Sequence, residues 1–372
     1  MTAFKRLKIL IAVLSVCAAL FSARAAYAQE ALVFDFETEK AFAEDWAAPA
    51  LTDYAIRVLN SESTYSAMPR ERLKRLVSRW PNSRKNSLSF EASDAIRQHI
   101  GAKFIIEGSL RRDRSGFQFT GSLVNPESGA ARDLSFQQKN FDLAAIRKQL
   151  RLNIKKAIGL KFTANPAALL GTVNADAYQS YWKGVQRYES GDADNALVLF
   201  ERAAERDPSY IEPTLMMGRI LLDKAFFSKA AEQFKRATDK WPADARGHFL
   251  LGLTYYLQRQ SAPARTALSK AAELDPDNPE ILYQLGLLDK DSFRYADAVD
   301  ELEKAVKQDS SLTDAWYQLA SMHSNAKQEA KTLDCLEKAA AWGGREVIAK
   351  IRNDNDFSWL RGERRFQMIV NK

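Results

Sequence analysis

Histidine and cysteine are scarce, three of one and two of the other in 372 residues. His99, His248 and His323 stand too far apart for the i, i+4 pair that sets two imidazoles on one helix face, so no histidine metal site is expected. The chain has no Gly-x-Ser-x-Gly elbow, no Walker loop and no dinucleotide fingerprint. Gly101, Gly108 and Gly116 fall where strand ends and a turn account for them. Carboxylates such as Glu201, Glu205 and Asp207 read as parts of solvated helix faces. The chain therefore reads as non-enzymatic, with no cofactor and no metal.

Long apolar runs are missing too, with one exception. Lys5, Arg6 and Lys8 precede an apolar run from Ile9 to Phe21, and Ala26-Tyr27-Ala28 follows. That order of basic, apolar and small residues is a secretory signal peptide over residues 1–28, with cleavage expected after Ala28. The run stops at Ser22 and Arg24, short of the roughly 20 apolar residues that a membrane span needs. The bulky Val16 before Cys17 argues against a lipoprotein signal. Cleavage removes four basic residues (Lys5, Arg6, Lys8, Arg24) and no acidic one, so a net charge of +7 becomes 7 − 4 = +3. It also removes Cys17. Cys335 then stands alone, no intramolecular disulfide is possible, and its apolar helix face reads as a place for a small buried hydrophobe. The mature chain is expected in the periplasm, or secreted, with no stable membrane insertion. The basic stretch from Arg70 to Lys85 reads as a solvated helix face, with an anionic lipid or polysaccharide surface as the other option and no nucleic-acid partner.

What the chain does have is a period. Gly184, Gly218, Gly252 and Gly286 recur every 34 residues, with Ala320 next in step. In the same register run Ala196, Ala230, Ala264 and Ala298; Phe200, Phe234, Leu268, Leu302 and Leu336; Ala203, Ala237, Ala271, Ala305 and Ala339; and Pro208, Pro242 and Pro276. The glycine and the first alanine fall on two successive helices, where small side chains permit close approach. The proline ends the second helix because it has no amide hydrogen to continue it.

This pattern resembles the tetratricopeptide repeat, over five units at 177–210, 211–244, 245–278, 279–312 and 313–344. Lys183 and Arg187 depart from it in the first unit, Ser310 replaces proline in the fourth, and Thr332 replaces alanine in the fifth. The tail 345–372, with Phe357, Trp359, Leu360, Phe366 and Ile369 among charges, reads as a capping segment or a docking peptide.

Between residues 29 and 160 the periodicity changes repeatedly, which marks a mixed α/β domain. Strands are expected at Ala31–Phe36, near Tyr65–Met68, over Lys103–Leu110, over Phe117–Leu123 and over Ala131–Gln138. Helices are expected at Asp45–Leu59, Arg70–Val77, Ala92–Ile100 and Leu143–Leu160. The segment from Gly101 to Gln137, with its Glu-Gly-Ser strand end, basic hairpin and Asn-Pro-x-x-Gly turn, resembles the amino-terminal domain of TolB and of FlgO-like proteins. That likeness implies a Gram-negative periplasm. Residues 161–176 read as a linker, and the fold class is an α+β domain followed by an all-α superhelical solenoid.

In tetratricopeptide proteins the first helix of each pair lines the concave groove, and its fifth position points inward. Here that column is Tyr181, Leu215, Phe249, Tyr283 and Tyr317. Seven residues on, the next column is Tyr188, Leu222, Tyr256, Lys290 and Ser324. Aromatic rings with hydroxyls suit recognition of a peptide, and the Asn and Lys positions of a carboxylate clamp are missing. The expected function is a scaffold that binds a protein or peptide partner in the cell envelope. The alternative is a ligand or glycan sensor whose repeats relay occupancy of the α/β domain. N-terminal sequencing of the exported protein should return Gln29 as its first residue, and retention of Met1 would refute cleavage.

Overall fold

The computed structural model describes residues 31–38, 44–61, 66–77, 102–114, 116–159, 171, 172 and 174–371. The signal peptide with Ala28, the helix expected at Ala92–Ile100, most of the linker and the distal half of the basic stretch lie outside them. The described residues form two compact units, one ending at Phe226 and the other beginning at Phe227.

The first unit opens with β1 (Ala31–Val33) and β2 (Glu37–Thr38), followed by helices α1 (Ala47–Asn60) and α2 (Arg70–Val77). The hairpin β3 (Phe104–Asp113) and β4 (Gly116–Val124) comes next, then β5 (Ala131–Asp133), β6 (Phe136–Gln138) and α3 (Leu143–Ile158). β1 and β2 both pair in parallel with β3; β4 is antiparallel to β3 and carries β5 and β6 on its far edge. The strand expected near Tyr65–Met68 reduces to one bridge, Ala31 to Ala67. The strand expected at Ala131–Gln138 is two, broken where Leu134 turns into the core and the Ser135 hydroxyl accepts the Gly121 amide at 3.1 Å.

Gly108 sits inside β3 rather than at its end, opposite Gly121. The ring of Phe119 lies across both. A Cβ on Gly108 would stand 2.6 Å from that ring and one on Gly121 2.5 Å, which explains glycine in the Glu-Gly-Ser segment. Phe36 and Phe136 close on the same ring at 5.1 and 5.2 Å. α3 starts at Asp142, whose carboxylate accepts the amides of Ala144 and Ala145, and stops at Gly159 in the left-handed region.

The first unit continues with α4 (Ala175–Glu189), α5 (Ala193–Arg206) and α6 (Ile211–Asp223). The second unit holds α7 (Phe227–Lys240), α8 (Ala245–Leu257), α9 (Ser261–Leu274), α10 (Pro279–Asp291), α11 (Tyr295–Gln308), α12 (Thr313–Asn325) and α13 (Glu329–Asn353). Gly344 breaks the helical conformation of α13, at the sequence boundary of the fifth unit. A 3₁₀ turn (Asn355–Leu360) and α14 (Arg364–Val370) finish the chain. Phe357, Leu360, Phe366 and Ile369 are buried with the fifth repeat's core, so the tail packs as a cap.

The period has a steric cause. A Cβ on Gly252 would lie 2.7 Å from Leu268 Cγ, and Gly286 meets Leu302 in the same way. Each pair is a glycine on the first helix against a large residue sixteen positions on. A second periodicity is invisible in residue type. Gly191, Ala225, Arg259, Phe293 and Lys327, 34 residues apart, all take positive φ at the turn inside each repeat. Only the first is glycine.

Left-handed backbone costs an ordinary residue about 1–2 kcal/mol, and glycine's extra chain entropy takes back about 0.5–1 kcal/mol. Phe293, at φ 62° and 78% exposed, has little packing to lose. Phe293→Gly should therefore raise stability by about 0.5–1 kcal/mol, while Gly252→Ala should lower it by about 1–3 kcal/mol, both read as shifts of the urea midpoint.

Cys335 is buried in the second unit's core, and burial pushes its thiol up to about 11. The folded thiol stays protonated while the unfolded one ionises near 8.5, so stability falls as pH rises through that interval. At pH 8 the folded protein should resist alkylation at Cys335, and mass spectrometry should find the adduct only after denaturant is added.

Candidate partner-binding surface

The first groove column is interior. Tyr181, Leu215, Phe249, Tyr283 and Tyr317 are all buried, Phe249 at 1% exposure. Tyr181 is held edge-on by Trp182 and Tyr210, each at 5.3 Å, and leans on Phe200 at 5.5 Å. Tyr317 stands edge-on to Phe357 of the cap and donates its hydroxyl to Asp354. These rings fill space between successive helix pairs. They present little exposed area.

The second column divides. Leu222 is buried, and Ser324 is spent on the cap, donating to Asp356 O and accepting from Trp359 Nε1 at 2.8 Å. Tyr188 and Tyr256 are half-buried, and each donates its hydroxyl to a carboxylate 35 residues on: Tyr188 to Asp223, and Tyr256 to Asp291 at 2.7 Å. Burial, and for Tyr256 the neighbouring Asp291 next, pushes both phenols well above their usual range, so they remain donors at neutral pH.

Within the second unit two polar contacts between successive first helices involve this second column. Asp291, 42% exposed, accepts from Tyr256 and lies 3.9 Å from Arg259 Nη1, itself 84% exposed. Lys290 Nζ donates to Gln318 Oε1 at 2.6 Å, with both side chains half-buried. One contact therefore joins α8 to α10 and the other joins α10 to α12. Asp291, Arg259 and Gln318 were not foreseen. The signal lay in the spacing, since a tyrosine and an aspartate separated by one repeat plus one residue occur twice.

Sequence reasoning also missed a contact inside the first unit. α1 is buried on every face, and a stripe of Trp46, Ala47 and Ala50 packs with Tyr178, Tyr181 and Trp182 of α4. Tyr178 donates to Ala50 O at 3.2 Å, and Arg57 lies 3.8 Å from Glu212 of α6. Tyr178 and Glu212 are 34 residues apart, one turn before the first groove column. The clue was a helix apolar all round that carries an Asp53/Arg57 pair at i, i+4.

Among the described residues no three His, Cys, Asp or Glu side chains are arranged to hold a metal ion, and no helix is long and apolar enough to cross a membrane.

Residues 215–279 match the tetratricopeptide repeat family model. The CTR9 homolog of Arabidopsis thaliana is 32% identical over 108 residues, 29% of this chain and 10% of that protein. Human tetratricopeptide repeat protein 16 is 29% identical over 120 residues, 30% of this chain and 14% of that protein. The chain thus spans a small part of the length of these relatives. Among solved structures, a thermophilic TPR protein of Thermus thermophilus aligns at 23% identity and TM-score 0.41, over 47% of this chain and 96% of its own. MamA aligns at 20% identity and TM-score 0.39, over 44% and 96%. With the helix pairs and their 34-residue period, the family match shows that this chain carries tetratricopeptide repeats in a helical solenoid region behind an N-terminal mixed sheet.

Proposed function

We propose that this chain is a non-enzymatic scaffold of the cell envelope that binds a protein or peptide partner along the first helices of its third to fifth repeats. The observation that carries the reading is the half-exposed polar row Tyr256–Asp291 and Lys290–Gln318, with Arg259 at its edge. Successive first helices place these donors and acceptors at a regular interval, which suits a partner that is itself extended or helical. The aromatic body of Tyr256 adds apolar area at low entropy cost, and its hydroxyl is already oriented by Asp291. Tetratricopeptide proteins generally serve as interaction scaffolds, which supports the same class of function. The basic, apolar and small-residue order of residues 1–28 supports the periplasm as the place where it acts.

A photo-crosslinking residue at position 256 or 290, introduced in intact cells, should join the chain to a discrete protein, while the same residue at the exposed Lys270 on α9 should not. Against the captured protein, Tyr256→Ala with Lys290→Glu should weaken binding by about tenfold or more. Equal capture at position 270, or unchanged affinity in the double variant, would refute this surface.

A further inference from the structure

We propose that the α/β region is reversibly docked on the first helices of the first two repeats, α4 and α6, and that this contact parts along the repeat-facing side of α1. α1 is shared between two interfaces of different character. Toward the sheet it presents Leu51, Tyr54, Ala55, Val58 and Leu59 to a core of strand and α3 side chains. Toward the repeats it presents Trp46, Ala47 and Ala50, two of them alanines with little area to bury, and then the charged Asp53 and Arg57.

The charges are arranged so that separation strands none of them. Arg57, buried, is bound at 2.6 Å to Asp53 on its own helix and reaches Glu212 across the interface only at 3.8 Å. Arg70 is bound at 2.5 Å to Asp35 on its own side and at 2.8 Å to Glu189 of α4. Lys74 repeats the division, at 3.2 Å from Asp35 and 3.0 Å from Glu189. Arg147 lies over Tyr54 on its own side at 5.9 Å and over Tyr178 of α4 at 4.7 Å.

Each of these four cations has a partner at home as well as one across. Breaking a buried pair is expensive when it leaves a charge uncompensated, and here every cation keeps a partner after parting. Glu189 and Glu212, on the repeat side, gain water. The interface toward the sheet has no such provision and opens only with unfolding. Parting along the repeat-facing side uncovers Tyr178, Trp182 and Glu212 beside the already exposed Glu189, a face with aromatic area and negative charge that fits a basic amphipathic helix. This face is distinct from the surface proposed above on the third to fifth repeats, and the opening does not rest on that reading.

The test reads opening alone, in the full chain with Cys17 and Cys335 replaced by serine. Ala50→Cys places a thiol on the repeat side of α1 and Ala55→Cys places one on the sheet side, both at positions fully buried in the closed form. Ala47→Cys, also buried and on the repeat side, is read in parallel in case one variant fails to fold. Positions 47 and 50 should react with a maleimide about tenfold or more faster than position 55, because local opening requires less than global unfolding. Glu189→Lys should raise the rate at positions 47 and 50 by about fivefold and leave position 55 unchanged. Equal rates on the two faces of α1, or no response to Glu189→Lys, would overturn the proposal and make the first unit one rigid core.

Discussion

The contact on which the repeats depend is a glycine facing a large side chain across two helices. At Gly252 a methyl group would meet Leu268 at 2.7 Å, so the two helices lie as close as their backbones permit. Everything periodic in the solenoid follows from that spacing. The alanines of the second helix keep its approach side narrow, the large residue fills the gap beside the glycine, and the turn between them is short enough to force one residue into the left-handed region. Arg259, Phe293 and Lys327 hold that conformation without being glycine because the closed helix pair on either side dictates it.

The same logic of close approach recurs in the first unit with different residues. α1 touches the repeats through alanines and touches the sheet through leucine, tyrosine and valine, so one helix serves two cores. A single helix cannot bury two full apolar faces and still join a separate element through charges unless those charges are compensated locally. Asp53 beside Arg57 and Asp35 beside Arg70 supply that compensation. The interface toward the repeats consequently joins an aromatic patch to buried charges, whereas the interface toward the sheet is apolar.

The sequence made the repeats legible because their cause is steric and recurs in register. A glycine, an alanine, a large residue and a proline at fixed offsets can be read without coordinates. The strands of the α/β domain were legible where alternation was clean, as in Phe117, Phe119, Gly121 and Leu123. They were misread where a tertiary contact intervened: position 108, inside a strand, is glycine because the Phe119 ring covers it, and the strand at 131–138 breaks where the Leu134 side chain is buried. The groove columns were read from spacing along the first helices alone. Which of them reach solvent was not legible, since the periodicity of a helix says nothing about how tightly the next pair will lie against it.

That closeness is itself maintained by bonds that the sequence displays only as a coincidence of spacing. Tyr188 to Asp223 and Tyr256 to Asp291 each run from the first helix of one repeat to a carboxylate 35 residues away, and Tyr317 reaches Asp354 in the cap by the same device. A tyrosine that bridges neighbouring first helices stiffens the row while leaving part of its own ring outside. Tyr188 and Tyr256 brace the row while half-buried, whereas Tyr317 does so from the interior. A partner bound at the proposed surface would meet side chains whose rotamers are already held, and the entropy that free tyrosines would lose on binding would already have been lost on folding.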